Sequence, residues 1–144
     1  MPTYLVETFV DGQPTFIVPL DTILGELQIG GALKTLTPLE YHTDRQRAWY
    51  RGVCLKALTE ANIGYTETEW DLMLKANCGG NELLTHQEIL LGHTPKGAPI
   101  ACERLSIVGV GKKNMTQFIE NILQWAVDTG HADVVPPPDP ELRR

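Results

Sequence analysis

The sequence predicts an α+β protein: an N-terminal β-hairpin, two central helices, a second β-hairpin, a C-terminal helix and a proline-rich tail. Three observations carry this. Two stretches of period-two alternation surround the turn signals Asp11-Gly12 and Thr94-Pro95-Lys96-Gly97. Two Thr-x-x-Gln/Glu sequences open the central helical stretches. Apolar residues then recur at helical spacing from Met115 to Ala126.

Residues 3–10 and 13–20 are rich in Val, Thr, Phe and Tyr and read as the two strands of the first hairpin. Pro14 and Pro19 lack a ladder donor, which assigns their strand to an edge. Gly30-Gly31 breaks the chain, and 32–39 is expected to be a further strand ending at Pro38. Thr43-Asp44-Arg45-Gln46 has the form of a capping box and predicts a helix running to about Ala61, with Trp49, Val53, Leu58 and Ala61 on one side. Thr66-Glu67-Thr68-Glu69 repeats the box, and Cys78-Gly79-Gly80 ends the second helix. Residues 89–93 and 98–110 are the expected strands of the second hairpin. Asn114 is expected to cap the last helix, with Gly130 closing it. The tail from His131 contains Pro136-Pro137-Pro138-Asp139-Pro140 and is expected to be an extended or disordered arm, which leaves 1–130 as one domain.

A chain of 144 residues, 42% apolar and 21% charged, has the composition of an ordinary globular domain. No apolar run approaches the length of a membrane-spanning helix, which is about 18 residues or more. The start Met1-Pro2-Thr3-Tyr4 lacks the basic and apolar stretches of a secretory signal. Three cysteines, Cys54, Cys78 and Cys102, form no disulfide framework. The expectation is a cytoplasmic protein of a bacterial host.

The formal net charge is −6, but the placement is uneven. Residues 1–33 hold four acids and no base, and residues 57–95 hold six acids against Lys75. Residues 34–56 carry five bases against two acids, and residues 96–113 carry four against Glu103. An acidic chain with two short basic blocks can hold a polyanion if folding joins the blocks, although the overall charge opposes it at long range. The alternative is that these charges fall on unrelated solvated faces.

The segment 41–60 is the most informative. Arg47 and Arg51 are one helical turn apart, and Arg45, Trp49 and Lys56 form a neighbouring row. Arginines beside exposed aromatic rings hold a sugar–phosphate backbone and stack a base, here on Trp49 or Tyr50. The competing reading is an amphipathic helix whose arginines pair with Glu40, Asp44 or Glu60. Gly109-Val110-Gly111-Lys112-Lys113 precedes a helix start, where free backbone N–H groups favour an anion, and Arg104 lies in the same basic block. No Walker loop, dinucleotide fingerprint or nucleophile elbow is present. Cys78, His86, His93 and Cys102 have the ligand types of a zinc site but match no tight knuckle spacing, so no metal or other cofactor is assigned. Glu67, Glu69 and Asp71 are explained by a helix N-terminus without catalysis.

The run His42-Thr43-Asp44-Arg45-Gln46-Arg47-Ala48-Trp49-Tyr50, a second helix over 67–76, a β-hairpin, Arg104-Leu105-Ser106-Ile107 and a final helix from Met115-Thr116-Gln117-Phe118 follow one another over residues 4–130. This order resembles the NinB/Orf recombination proteins of lambda-type phages and related small prophage proteins of unassigned function. The resemblance implies a dimeric accessory factor of homologous recombination that binds single-stranded DNA, also touches duplex, and helps an annealing or strand-exchange protein past single-strand-binding protein. By position, Arg45, Arg47 and Arg51 match the basic helix, with Lys112 and Lys113 before the last helix. The acidity and the long tail depart from that pattern.

Two readings from different classes follow. In one the chain is a non-catalytic phage or prophage DNA-binding mediator using Arg45, Arg47, Arg51, Lys56, Arg104, Lys112 and Lys113 on phosphates. In the other it is a protein–protein adaptor of phage origin that makes its contacts through 57–95 or the tail. An enzyme is the third class, since no catalytic constellation is visible. The readings turn on whether the two basic blocks meet in space.

Overall fold

The computed structural model describes residues 3–61 and 64–144; Met1, Pro2, Asn62 and Ile63 lie outside the described residues. Of the described residues helix takes 48% and strand 19%, and the strands described form two separate antiparallel hairpins, which is the α+β arrangement the sequence predicts. The chain divides into two compact units, Met1–Thr35 and Leu36–Arg144, and each has its own local logic.

In the first unit, strands β1 (Val6–Val10) and β2 (Gln13–Phe16) pair with Val6 opposite Phe16 and Val10 opposite Gln13. Asp11 and Gly12 both take positive φ (50° and 77°), the geometry of the tight hairpin turn that their sequence announces. The second strand is shorter than the expected 13–20, because Pro19 leads into a one-turn helix, α1 (Leu20–Gly25). The strand expected over 32–39 does not form; its end is taken up by the start of the next helix. Among the described residues of this unit Ile23 is the buried apolar side chain, whereas Phe9, Ile17 and Leu33 are each two-thirds exposed or more (67%, 67% and 72%).

The second unit is built on a continuous helical rod. Helix α2 (Pro38–Trp49) is capped six residues before the Thr43 cap that the sequence suggests. Thr37, not Thr43, is the cap. Its Oγ1 accepts from the Glu40 N–H at 3.2 Å and donates to the Glu40 carboxylate at 3.1 Å, and Pro38 occupies the first turn where its missing N–H costs nothing. Thr43 is buried inside the helix, its hydroxyl donating back to the carbonyls of Leu39 and Glu40. A π-helical turn, Tyr50–Cys54, carries the rod into α3 (Leu55–Glu60).

Helix α4 (Glu67–Leu74) has the reciprocal Thr66–Glu69 box, as expected. It passes through a second π turn, Lys75–Gly79, into the short α5 (Gly80–Leu83). Strands β3 (Thr85–His93) and β4 (Pro99–Ser106) pair from Thr85 opposite Ser106 to His93 opposite Pro99, with an irregularity between Leu90 and Gly92. Strand β4 stops at Ser106, short of the expected Val110, and residues 107–111 form a loop. Helix α6 (Lys112–Asp128) follows. Gly111 stands at its N-cap in place of Asn114, and Gly130 (φ 78°) ends it.

The core lies where α6 meets the rod and α4. Met115, Phe118, Ile119 and Ile122 are fully buried on one stripe of α6, against Tyr50, Cys54, Leu58, Trp70 and Leu74. The Phe118 and Tyr50 rings pack at 5.1 Å.

The tail is not the free arm that its prolines suggest. From His131 it runs back over the α2–α6 seam, burying Val135 and Leu142 in the main core before a 3₁₀ turn, Pro140–Arg143. The Trp49 indole N–H donates to the Pro136 carbonyl at 3.1 Å, Gln46 donates to the Leu142 carbonyl at 2.9 Å, and Arg143 forks onto Glu120 at 2.7 and 3.0 Å. Proline prevents regular structure but leaves apolar side chains free to find sockets, and the seam supplies two. Leu142→Ala is therefore expected to lower stability by about 2 kcal/mol in urea unfolding; an unchanged midpoint would mean that the tail is detached in solution.

Candidate nucleic-acid interface

The rod and α6 bring parts of the two basic blocks together. Residues 109–112 reach the head of α6 beside the first turns of α2, and the two walls enclose a shallow hollow of about 230 Å³. Leu39, Glu40, Thr43 and Arg47 line it from α2, and Gly109, Val110, Gly111 and Lys112 line it from the loop and helix start, so its wall is largely apolar and carries one carboxylate beside the two cations. Gly109 takes a positive φ of 77°, a turn that a side-chain-bearing residue resists. No side chain caps α6, so its first-turn N–H groups point out beside Lys112 and Lys113, both exposed.

Each basic residue has its own situation. Arg47 donates to Asp44 at 2.6 Å and still lines the hollow; a guanidinium carries five donors, so one ion pair does not exhaust it. Arg51 is exposed one turn further on. Among the described residues, no carboxylate comes within ion-pair distance of Arg51, Arg104, Lys112 or Lys113. Arg45 is held by two tail carboxylates, Asp139 at 3.2 Å and Glu141 at 3.3 Å, and its guanidinium carbon stands 5.7 Å from the Tyr41 ring centroid. Lys56 faces Glu60 at 4.0 Å, past the π turn. Arg104 is exposed on β4 opposite Gln87, and it does not line the hollow.

The aromatic platform expected beside these arginines is not available. Tyr50 is fully buried, its hydroxyl donating to the Asp71 carboxylate at 2.6 Å. Trp49 is turned inward beneath the tail. Both rings sit where the rod meets the core, and neither offers a face to a base.

Asp71 also overturns its sequence reading as a carboxylate that merely complements a helix start. It accepts from Tyr50 on one oxygen and from the buried Lys75 ammonium, at 2.8 Å, on the other. Burial and the Asp71 hydrogen bond hold the Tyr50 hydroxyl far above its ordinary pKa. Burial pushes the Cys54 thiol up to about 12 and that of Cys78 up to about 11, so these two are inert core side chains. Cys102 is exposed on β4 and His86 pairs with Asn81; among the described residues, no three His, Cys, Asp or Glu side chains converge as metal ligands. A larger open hollow of about 510 Å³ at the Cys78–Leu83 turn is lined by Asn77, Asn81, Glu82, Gln117 and Asn121 together with small and apolar residues of the turn, and includes none of the nine predicted site residues.

Sequence reasoning missed two participants. His42 sits between the blocks: burial, Lys112 and Arg45 together hold its imidazole below the usual value, against a smaller opposing pull from Glu141. The tail acids Asp139 and Glu141 were the other omission, and alternate acids after a proline run were the available signal. No protein-family model, curated protein or solved structure matches the chain.

The His42 environment has a pH consequence. A folded pKa below the unfolded one means that the unfolded chain takes the proton first, so this contribution is present above the unfolded value of about 6.5 and is lost as pH falls towards the folded pKa. The urea midpoint is expected to drop between about pH 7 and pH 5, and His42→Asn is expected to flatten that drop. An identical pH profile in the variant would assign the effect to other groups.

Proposed function

We propose that this chain is a non-catalytic accessory protein of phage or prophage DNA recombination or replication that holds the backbone of single-stranded DNA, in the manner the resemblance to the NinB/Orf proteins implies. The observation that carries the reading is the shared hollow: Arg47 from the first basic block and Lys112 from the second line the same surface, next to the uncapped head of α6. Two cations and the free N–H groups at the head of α6 favour an anion at the edge of this hollow, against the single Glu40 carboxylate that also lines it. Lys113 and Arg51 extend it on either side. Arg104 and Lys56 are outlying contacts in this reading.

The net charge of −6 makes such binding weak at long range and dependent on close contact. That suits a factor that hands a strand to another protein, and a single-strand-binding protein or recombinase is the proposed partner. The test is fluorescence anisotropy with a labelled oligothymidylate over a salt series. The Arg47→Glu/Lys112→Glu variant is expected to bind at least roughly tenfold more weakly at low salt, with a salt slope shallower by about 1.4, the share of two phosphate contacts on a single strand. Equal affinity in that variant would remove the hollow from the proposal.

A second reading, the protein–protein adaptor, is favoured by the first unit. The unit is a segment of 35 residues with few apolar side chains buried within it, Ile23 among the described ones, which is a small core for an independent fold. In this reading a second copy of the chain, giving the proposed homodimer, or a partner protein packs against its apolar side chains. Sedimentation velocity distinguishes the cases: a homodimer is expected to dissociate in Phe9→Ser/Ile17→Ser, whereas a wild-type monomer leaves the face to a different protein.

A further inference from the structure

We infer that the C-terminal strap, residues 132–144, is an internal competitor for the basic face: it occupies Arg45 in place of a phosphate-bearing strand. The inference deepens the DNA-binding reading and rests on it. The strap lays two carboxylates, Asp139 and Glu141, on the two terminal nitrogens of one guanidinium. A phosphate offers the same guanidinium the same acceptors, so strap and ligand exclude each other there. One turn further along α2, the Pro136 carbonyl takes the Trp49 indole N–H. The strap thus occupies the arginine that the sequence reads as a backbone clamp, and it is tied beside it to Trp49, whose ring belongs to the core.

The strap is attached by contacts of two kinds. Leu142 and Val135 sit in the main core and act as anchors. The Arg45 pairs are exposed at their acidic ends, with Asp139 and Glu141 at 72% and 75%, so they are readily exchanged. Arg143 on Glu120 ties the far end to α6. A weak polar clasp between apolar anchors can be opened by a competing polyanion without unfolding the domain. The sequence places the acids at alternate positions, Asp139 and Glu141, flanking Pro140, the first residue of the 3₁₀ turn.

The experiment compares the full chain with Asp139→Asn/Glu141→Gln in oligothymidylate anisotropy over a salt series. The variant is expected to bind roughly three- to tenfold more tightly, as two exposed pairs are released, with a salt slope steeper by about 0.7 from the freed Arg45. Glu82→Gln/Glu88→Gln changes the net charge equally at the α5 turn and on β3, and is expected to gain far less. Adding Arg45→Ala to the strap variant should cancel its gain. In hydrogen exchange of the wild-type chain, the oligonucleotide is expected to accelerate exchange of the Leu142 amide, which bonds to the Asp139 carbonyl at 2.9 Å. If the wild type binds DNA but the strap variant gains no more than the charge control, or the gain survives loss of Arg45, the competition is refuted while the interface stands. If neither wild type nor strap variant binds at low salt, the interface reading fails and the competition fails with it.

Discussion

The buried stripe of α6 is the constraint on which the second unit depends. Met115, Phe118, Ile119 and Ile122 have no solvent contact. Burying four large side chains is worth on the order of 6–12 kcal/mol before entropy is counted, which exceeds any polar contact on this surface. The stripe fixes the rotation of α6 about its axis and presses its first turn against α2. Gln46 reinforces the same seam by donating to Thr116 at 2.9 Å and to the Leu142 carbonyl. The meeting of Arg47 with Lys112 is therefore a consequence of apolar packing: the charges ride on a contact that they did not create.

The same packing explains the buried polar cluster. Tyr50 and Lys75 both begin π-helical turns, in which the extra residue per turn shifts the side-chain rows. Asp71 bridges them, so the rod and α4 are joined by a neutralised, hydrogen-bonded group inside an otherwise apolar core. A buried ammonium without that carboxylate would be strongly unfavourable; the Asp71–Lys75 pair lies within α4 and the π turn that continues it, and the Tyr50 hydroxyl bond ties it to the rod. Tyr50 thereby leaves the surface, and with it leaves any role in stacking.

The tail follows a similar logic. Its prolines exclude helix and ladder, yet Val135 and Leu142 find sockets on a seam that exists only once α2 and α6 have met. Its acids then fall beside Arg45, the arginine of α2 nearest to them. Surface ion pairs of this kind add little stability, which is why they suit exchange better than support.

The sequence by itself determined the local devices: the Asp11-Gly12 turn, the Thr66 box, the Thr94–Gly97 turn and the apolar period of α6. Each depends on a few adjacent residues and on backbone preferences that no distant contact overrides. The start of α2 went instead to Thr37, whose cap also uses Pro38 and Glu40, and not to the expected Thr43. The membership of the candidate face belongs to the tertiary structure alone. Whether Trp49 looks inward, whether Arg45 is free, and whether two basic blocks 65 residues apart in sequence (Arg47 and Lys112) line one hollow all depend on how α6 is rotated and where the tail anchors. A charge pattern on one helix gives the possible faces; packing against a second helix selects which of them meets solvent.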